Sequence, residues 1–200
     1  MLVIGLTGPS GAGKSRVAEI FAEYGLPILN ADEIYHALLV PPSPCLDALV
    51  SQFGREILKP DGNLNRPALG KIVFSDPASL SALNSIAHQH VMEKIRMELD
   101  RLRKKDTVAA VLDAPQLFEA GANRDCGVVV SVLADKRIRL ERIMERDGVD
   151  ADAALKRMAV QKSDEFFRTH SDYIIENNGN AERLYPCVRR ILRETGVLER

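Results

Sequence analysis

One segment near the start of the chain limits the possible fold more than any other. Residues 8–15 read Gly-Pro-Ser-Gly-Ala-Gly-Lys-Ser, which fits the pattern G-x-x-x-x-G-K-[ST], and they lie between an apolar run at residues 2–6 and a helical pattern at residues 17–24. A strand, a glycine-rich turn and a helix in this order make a phosphate-binding loop (P-loop), because the glycines let successive backbone N–H groups converge on phosphate oxygens at the positive end of the helix. The segment therefore predicts a nucleoside triphosphate site in a parallel α/β fold.

Each P-loop position has an expected role. The backbone of Gly11, Ala12 and Gly13 should surround the phosphates. Lys14 should reach the β and γ phosphates, and the hydroxyl of Ser15 should ligate Mg²⁺. Kinases, GTPases and motor ATPases share this motif, but the sequence lacks the N-K-x-D guanine motif that a GTPase would carry.

Short β-rich runs alternate with helical patterns along the chain. The runs lie at residues 2–6, 27–29, 107–113, 127–133 and 172–175. Such alternation predicts a three-layer P-loop NTPase core, with a parallel sheet between helices and with ligands at the carboxyl ends of the strands. The long interval after the second run predicts a helical insertion, in which Asp76 and Pro77 should begin a long amphipathic helix. We place the core at about residues 1–30 and 107–200 and the insertion at about residues 31–106 of a single domain.

Two acids follow predicted strands. Asp113 ends the third run and resembles the acid that closes an apolar strand and helps to hold the metal in P-loop enzymes, although an acid there could instead cap the next turn. Asp32 follows the second run, which should return beside the first strand. We therefore expect Asp32 near the γ phosphate, where a carboxylate could accept a proton from a substrate hydroxyl.

Three arginines after the fourth run fall on one helical face. Arg139, Arg142 and Arg146 share this face, whereas Glu141 and Glu145 project elsewhere. A solvated surface helix is one explanation of such a pattern. The position after a strand end favours another, a helical lid at about residues 135–165 that lowers guanidinium groups onto the transferring phosphate.

The charge balance argues against a nucleic-acid partner. With 27 basic and 28 acidic residues and a formal net charge of −1, the chain lacks a field that could hold a long polyanion. Cys45, Cys126 and Cys187 form no C-x-x-C pair, which argues against a zinc site and a disulfide framework. No run approaches the about 20 apolar residues of a membrane helix. We expect a cytoplasmic location and no membrane contact, and the oligomeric state stays open.

Further motifs beyond the P-loop have a distinctive order and spacing. Residues 30–32 read Asn-Ala-Asp, residues 61–66 read Asp-Gly-Asn-Leu-Asn-Arg, and residues 112–119 read Leu-Asp-Ala-Pro-Gln-Leu-Phe-Glu. Later positions of the same pattern are Arg142, Arg146, Arg157, Gln161 and the run Asn177-Asn178-Gly179. This combination, over nearly the whole chain, resembles the dephospho-coenzyme A kinase family, with its D-A-D, D-G-x-L-N-R and L-D-x-P-L-L-F-E motifs.

The resemblance implies a reaction and an acceptor side. It implies ATP-dependent phosphorylation of the ribose 3′-hydroxyl of dephospho-coenzyme A, giving coenzyme A and ADP in the last step of coenzyme A biosynthesis. Asp32 would activate the hydroxyl, and the helical insertion would bind the acceptor through Arg66 and His88. We also assign Thr7 and Asp113 to the residues that bind the acceptor.

The resemblance also implies a nucleotide side. Residues 11–16, which include Arg16, would hold ATP together with Arg146. Arg142 would belong to the lid and act in catalysis with Lys14 and Asp32. Asn177 and Gly179 would approach the adenine of ATP.

Four positions depart from the family pattern. Arg16 stands where Thr is usual, Asn30 replaces the first Asp of D-A-D, Gln89 replaces a Pro, and Arg139 stands where Gln is common. An amide is a weaker metal ligand than a carboxylate, so we expect no metal role for Asn30. The effects of the departures at Arg16, Gln89 and Arg139 stay open.

Structural and functional alternatives accompany these assignments. A histidine within a long helix often only packs or faces solvent, which is a second explanation for His88 and the one we expect for His90. Arg66 precedes Pro67, so its guanidinium could cap neighbouring carbonyls. The alternative activities are another nucleoside or nucleotide kinase of the same architecture, and a P-loop switch that hydrolyses nucleotide without an acceptor.

Overall fold

Five strands form the sheet of the computed structural model, which describes residues 1–198. They are β1 (Leu2–Thr7), β2 (Ile28–Asn30), β3 (Ala109–Asp113), β4 (Val128–Leu133) and β5 (Tyr173–Glu176). Their order is β2-β3-β1-β4-β5, and the β1–β3, β1–β4 and β4–β5 pairs are parallel. The predicted α/β fold with a parallel sheet is confirmed. Because β1 is the middle strand, the P-loop that follows it lies at the centre of the sheet's carboxyl edge.

Nine α-helices are present within residues 1–198. They are α1 (Lys14–Glu23), α2 (Ala31–Leu38), α3 (Pro44–Phe53), α4 (Arg66–Ser75), α5 (Pro77–Arg103), α6 (Lys136–Asp147), α7 (Ala151–Ala159), α8 (Asp164–His170) and α9 (Leu184–Glu194). The predicted start of the long helix is confirmed, since the Asp76 carboxylate accepts the backbone N–H groups of Ala78 and Ser79 at 3.2 and 2.8 Å. Among these described helices, none is long and apolar enough to cross a membrane.

Helices cover both faces of the sheet. On one face, alternate strand residues form a buried apolar cluster with α1 and α9. Its fully buried members include Ile4, Leu6, Val17, Ile20, Phe21, Val111, Val130, Val132, Val188 and Ile191. Ser131 of β4 points to the other face, where its hydroxyl lies 2.7 Å from that of Ser171 at the end of α8, and α8 packs against β4. The result is the three-layer arrangement expected of a sheet that is apolar on both faces.

The chain divides into two compact units. Met1–Leu29 and the chain from Leu102 onward form the first, which contains the P-loop, and Asn30–Arg101 forms the second. The second unit is helical and has an apolar core of its own. That core consists of Leu39, Cys45, Leu46, Leu49, Phe53, Ile57, Leu64, Leu69 and Val73.

Candidate functional site

The P-loop is held in shape by neighbours that leave no room for side chains. Gly11 and Gly13 have φ of 79° and 88°, values at which a residue other than glycine is strained. A Cβ on Gly11 would lie 2.6 Å from the backbone oxygen of Arg139, and a Cβ on Gly13 would lie 2.1 Å from Nδ2 of Asn177. The motif glycines therefore serve close packing as well as the turn itself.

Lys14 and Asp113 form an ion pair at the carboxyl edge of the sheet. Lys14 is the first residue of α1, and Asp113 is the last residue of β3, the neighbour of β1. Asp113 is only 3% exposed, and charges paired out of solvent interact more strongly than exposed ones. Asp113, the acid that the sequence predicts at a strand end, thus contacts the P-loop lysine. Ser15, the next residue of the motif, is exposed at the start of α1.

Thr7 is a buried polar residue at the end of β1. It is fully buried, and its hydroxyl donates to the backbone oxygen of Pro115 at 3.3 Å. Its hydroxyl holds the segment that follows Asp113. The placement of Thr7 with the acceptor-binding residues stays a prediction.

The arginine face of α6 is directed at the P-loop. Arg139 Nε donates to the Ser10 backbone oxygen at 3.0 Å. Arg142 Nη1 lies 3.3 and 3.4 Å from the backbone oxygens of Gly11 and Ala12, and Arg146 Nη2 donates to Ser10 Oγ at 3.3 Å. The predicted common face is confirmed, and a purely solvated helix is excluded, because Arg139 is 6% exposed.

Arg146 is also tied to an acid at the end of α6. Its guanidinium donates to Asp147 at 2.8 and 3.0 Å, and Arg157 of α7 donates to the same carboxylate at 2.5 Å. The hydrogen bond to Asp147 raises the pKa of Arg146, and the Arg146 hydrogen bond lowers the pKa of Asp147. The carboxylate thus links α6 to α7.

The loop after β5 is fastened to the same site. Asn177 is 6% exposed, and its Nδ2 donates to the Ala12 backbone oxygen at 2.8 Å. Asn178 exchanges hydrogen bonds with Asp135, the residue before α6, at 2.7 and 2.9 Å. Gly179 is exposed, with nothing within 4 Å of a Cβ built there. The proximity of this loop to adenine stays a prediction, whereas the support of the P-loop by Asn177 is a role that sequence reasoning missed.

The side chain of Arg16 does not lie on the P-loop. Its guanidinium donates to Glu19 and Glu23 at 2.8 and 3.3 Å and to the Tyr185 hydroxyl at 2.8 Å. The Glu19 hydrogen bond, above all, raises the pKa of Arg16. The Arg16 side chain links α1 to α9, and a role of Arg16 in holding ATP stays a prediction.

Asp32 and Asn30 lie at the start of α2, in the second unit. Asn30 is the N-cap, and its Oδ1 accepts the backbone N–H groups of Asp32 and Glu33 at 3.0 and 3.1 Å. Asparagine is among the best N-cap residues, which gives a physical reason for an amide at this departure from the family pattern. The carboxylate of Asp32 is exposed in the first helical turn, where a negative charge interacts favourably with the helix dipole.

The second unit also carries the other expected acceptor residues. Arg66 is exposed at the first position of α4, and Asn65 supplies the N-cap by accepting the Ala68 N–H at 3.2 Å. Burial raises the pKa of Tyr35, and the nearby Arg66 opposes that shift. His88 is half-buried within α5. The role of His88 in acceptor binding stays a prediction.

His90 has an ordinary local contact. Its Nδ1 lies 3.7 Å from a carboxylate oxygen of Glu93, one helical turn away. Within residues 1–198 no group of three or more His, Cys, Asp or Glu side chains is arranged to hold a metal ion.

Gln161, which follows α7, is a site residue that the sequence did not identify as one. Its Oε1 accepts the backbone N–H of Ser10 at 3.2 Å and an N–H of Arg139 at 3.0 Å. Only its place in the family pattern distinguished Gln161 in the sequence. Its contact with a residue 151 positions away leaves no local pattern.

Together these residues make a site suited to a polyphosphate. Backbone N–H groups at the start of α1 and the cations Lys14, Arg142 and Arg146 surround one glycine-rich turn. Guanidinium and ammonium groups here can neutralise phosphate charge before and during phosphoryl transfer.

Comparison with known proteins agrees with this geometry. The family model for dephospho-CoA kinase (CoaE) matches residues 2–183. The dephospho-CoA kinase of Syntrophotalea carbinolica is 40% identical over 183 residues, covering 92% of this chain and 87% of that protein. Among solved structures, a Thermus thermophilus protein is similar with a TM-score of 0.81 at 31% identity, over 96% of this chain and 97% of that one. The dephospho-CoA kinase of Campylobacter jejuni gives a TM-score of 0.72 at 28% identity, over 98% of both chains.

Proposed function

The chain belongs to the dephospho-CoA kinase family, and from that membership we propose how its residues carry out the reaction. Members of the family phosphorylate dephospho-CoA with ATP in the last step of coenzyme A biosynthesis, and this chain is such a phosphotransferase. The observation that carries the residue assignment is the convergence of Lys14, Arg142 and Arg146 on the P-loop.

ATP binds with its phosphates in the P-loop. The backbone of residues 11–13 holds the phosphate oxygens, and Lys14 leaves part of its contact with Asp113 to bridge the β and γ phosphates. The Ser15 hydroxyl and the Asp113 carboxylate are hard oxygen donors of the kind that Mg²⁺ takes beside phosphate oxygens, so they would hold the ion, which would neutralise phosphate charge. The loop at Asn177 and Gly179 borders the adenine.

Asp32 acts on the acceptor. As the 3′-hydroxyl oxygen forms a bond to the γ phosphorus, the bond from that phosphorus to the β–γ bridging oxygen breaks, and ADP leaves. The hydroxyl proton passes to the Asp32 carboxylate. Arg66 and His88 in the helical insertion at about residues 31–106 bind the acceptor, a task suited to polar groups on an element separate from the P-loop core.

Arg142 acts on the transferring group. Its contacts with Gly11 and Ala12 are long, at 3.3 and 3.4 Å, so little is lost when the guanidinium turns to a phosphate oxygen. A planar guanidinium suits the equatorial oxygens of a transferring phosphoryl group. The segment at about residues 135–165 supplies this group as a lid.

The free thiols and the nucleotide substrate support a cytoplasmic location. The cysteines Cys45, Cys126 and Cys187 are free thiols, and burial raises the pKa of Cys126 to about 12, which keeps it a protonated, unreactive thiol. Free thiols and a nucleotide substrate are consistent with the cytoplasmic location that we propose.

An acceptor panel tests the function. Purified protein is incubated with ATP and Mg²⁺ and with dephospho-CoA, adenosine, AMP or shikimate, and ADP release is followed. We expect release to depend on dephospho-CoA. Equal release without any acceptor would favour a nucleotide switch, and a preference for a 5′-hydroxyl or a phosphate acceptor would favour another kinase.

A further inference from the structure

Ser10, the third residue of the P-loop, is held at each of its polar groups. Its N–H donates to Gln161 Oε1 at 3.2 Å, its backbone oxygen accepts from Arg139 Nε at 3.0 Å, and its hydroxyl accepts from Arg146 at 3.3 Å. The outer limb of the P-loop therefore takes its position from residues more than a hundred positions away in the sequence.

Arg139 is the centre of this arrangement. Beyond its bond to Ser10, it donates through Nη2 to Gln161 Oε1 at 3.0 Å and through Nη1 to Asp164 Oδ1 at 3.2 Å. One guanidinium thus joins the P-loop, Gln161 in the segment between α7 and α8, and the first turn of α8. The Arg139 side chain is 7% exposed, so its donors would be costly to leave without partners.

Arg139 and Arg142 are built for different tasks although they are neighbours on one helical face. All three guanidinium nitrogens of Arg139 already donate to protein oxygens, and its backbone lies against Gly11. Arg142 is half-buried, and among residues 1–198 its guanidinium donates only to the P-loop backbone, through two long contacts. Moving Arg142 to a phosphate costs only these two long contacts, whereas moving Arg139 would break three hydrogen bonds to the protein.

We propose that Arg139 is a positioning residue, which with Gln161 and Asp164 fixes the Ser10 limb of the P-loop so that the backbone N–H groups of the residues that follow Ser10 are arranged for phosphate before ATP arrives. Preorganised donors bind an anion more tightly, because no free energy is spent on arranging them during binding. It follows that the first turn of α6 stays on the P-loop throughout the cycle, and that any lid movement begins beyond it. The inference deepens the proposed function, because it concerns the same nucleotide site. It rests on that function only where KM and kcat are measured with dephospho-CoA.

Arg139→Met tests the inference, with Arg137→Met as its matched control. Arg137 lies two residues away on α6, has a side chain that is 79% exposed and pairs with Glu141 at 2.7 Å. The Kd for MgATP is measured calorimetrically without acceptor, and KM and kcat are measured with dephospho-CoA. We expect Arg139→Met to raise the Kd and the KM for ATP about tenfold or more with a smaller change in kcat, and Arg137→Met to change neither. Arg139→Lys, which keeps the charge and one donor nitrogen, should recover part of the affinity for MgATP.

Two outcomes decide the inference. If Arg139→Met lowers the melting temperature but binds MgATP with the wild-type Kd, Arg139 is merely structural and the inference is wrong.

If Arg139→Met does not fold, Gln161→Met replaces it, because this change removes the acceptor of the Ser10 N–H and leaves the arginine in place. A several-fold rise in the Kd for ATP supports the inference, and an unchanged Kd overturns it. Since ATP binding needs no acceptor, a protein that binds ATP but does not phosphorylate dephospho-CoA would overturn the proposed function alone.

Discussion

Lys14 illustrates how one side chain serves both the empty and the loaded site. The ion pair with Asp113 keeps its ammonium group at the carboxyl edge of β1 and β3, where phosphates are expected. Because Asp113 is nearly buried, the pair is less screened by solvent than a surface ion pair. The lysine is thereby held in place before any phosphate binds.

Lys14→Ala should abolish most phosphoryl transfer. The change removes the cation that stabilises charge on the β and γ phosphates, so we expect kcat to fall by about a hundredfold or more at saturating ATP. Circular dichroism serves as the control, since the apolar core does not include this residue. Wild-type turnover in Lys14→Ala would show that the P-loop assignment is wrong.

Arg142→Lys should affect the chemical step more than binding. Lysine keeps the positive charge but loses the planar fork, so stabilisation confined to the transition state falls and kcat drops more than KM rises. Arg137→Lys on the exposed side of α6 is the control. An effect confined to the KM for ATP would make Arg142 a ground-state clamp.

Asp32→Asn separates a base from a metal-binding group. The amide keeps the size of the side chain but takes up no proton, so loss of a general base predicts a fall in kcat of about a hundredfold or more with little change in ATP affinity. The measurement is kcat across a magnesium titration. A constant deficit at every magnesium concentration supports the base, whereas recovery at high magnesium would assign Asp32 to the metal.

At the scale of elements, the contact between α6 and the P-loop is the main structural result. The backbone of α6 comes so close to Gly11 that a Cβ would lie 2.6 Å from one of its carbonyl oxygens. Helix and loop therefore behave as one packed unit, which is why substitutions in either should alter both.

Gly11→Ala and Gly70→Ala should have opposite effects on stability. At Gly11 the new methyl group meets the α6 backbone and φ is 79°, so we expect a loss of about 1–3 kcal/mol in the free energy of unfolding and weaker ATP binding. Gly70 lies within α4 with only the Phe74 ring at 3.7 Å, so alanine should stabilise the protein by about 0.5–1 kcal/mol. Chemical denaturation measures both, and a stabilised Gly11→Ala would contradict the close contact.

Local patterns predicted the elements well and the contacts between them poorly. Every strand lies within two residues of the apolar run that predicted it, because burial on both faces of a parallel sheet leaves a strong local signal. The face shared by Arg139, Arg142 and Arg146 also follows from helical periodicity. The bonds from Gln161 and Asn177 to the P-loop span 151 and 165 positions. Such contacts depend on how elements meet in three dimensions, which no local pattern encodes. The contacts of Thr7 with Pro115 and of Arg16 with Tyr185 are of the same long-range kind.

At the scale of the whole molecule, an almost neutral chain concentrates positive charge at one place. The formal net charge is −1, yet Lys14, Arg142 and Arg146 gather around the P-loop at the centre of the sheet edge. A local cationic site in a nearly neutral protein favours a small polyphosphate over a long polyanion. The family membership and the site geometry thus agree on a nucleotide-dependent kinase of a small acceptor.

The most direct measurement of this account is the identity of the product. Dephospho-CoA is incubated with the protein, ATP and Mg²⁺, and the product is analysed by mass spectrometry and by phosphorus NMR. The account predicts a mass increase of one phosphoryl group, located on the ribose 3′-oxygen, with one ADP formed per product and with product formed about a hundredfold or more slowly by Lys14→Ala. ATP consumption without phosphorylated acceptor, or a phosphoryl group at any other position, would contradict it.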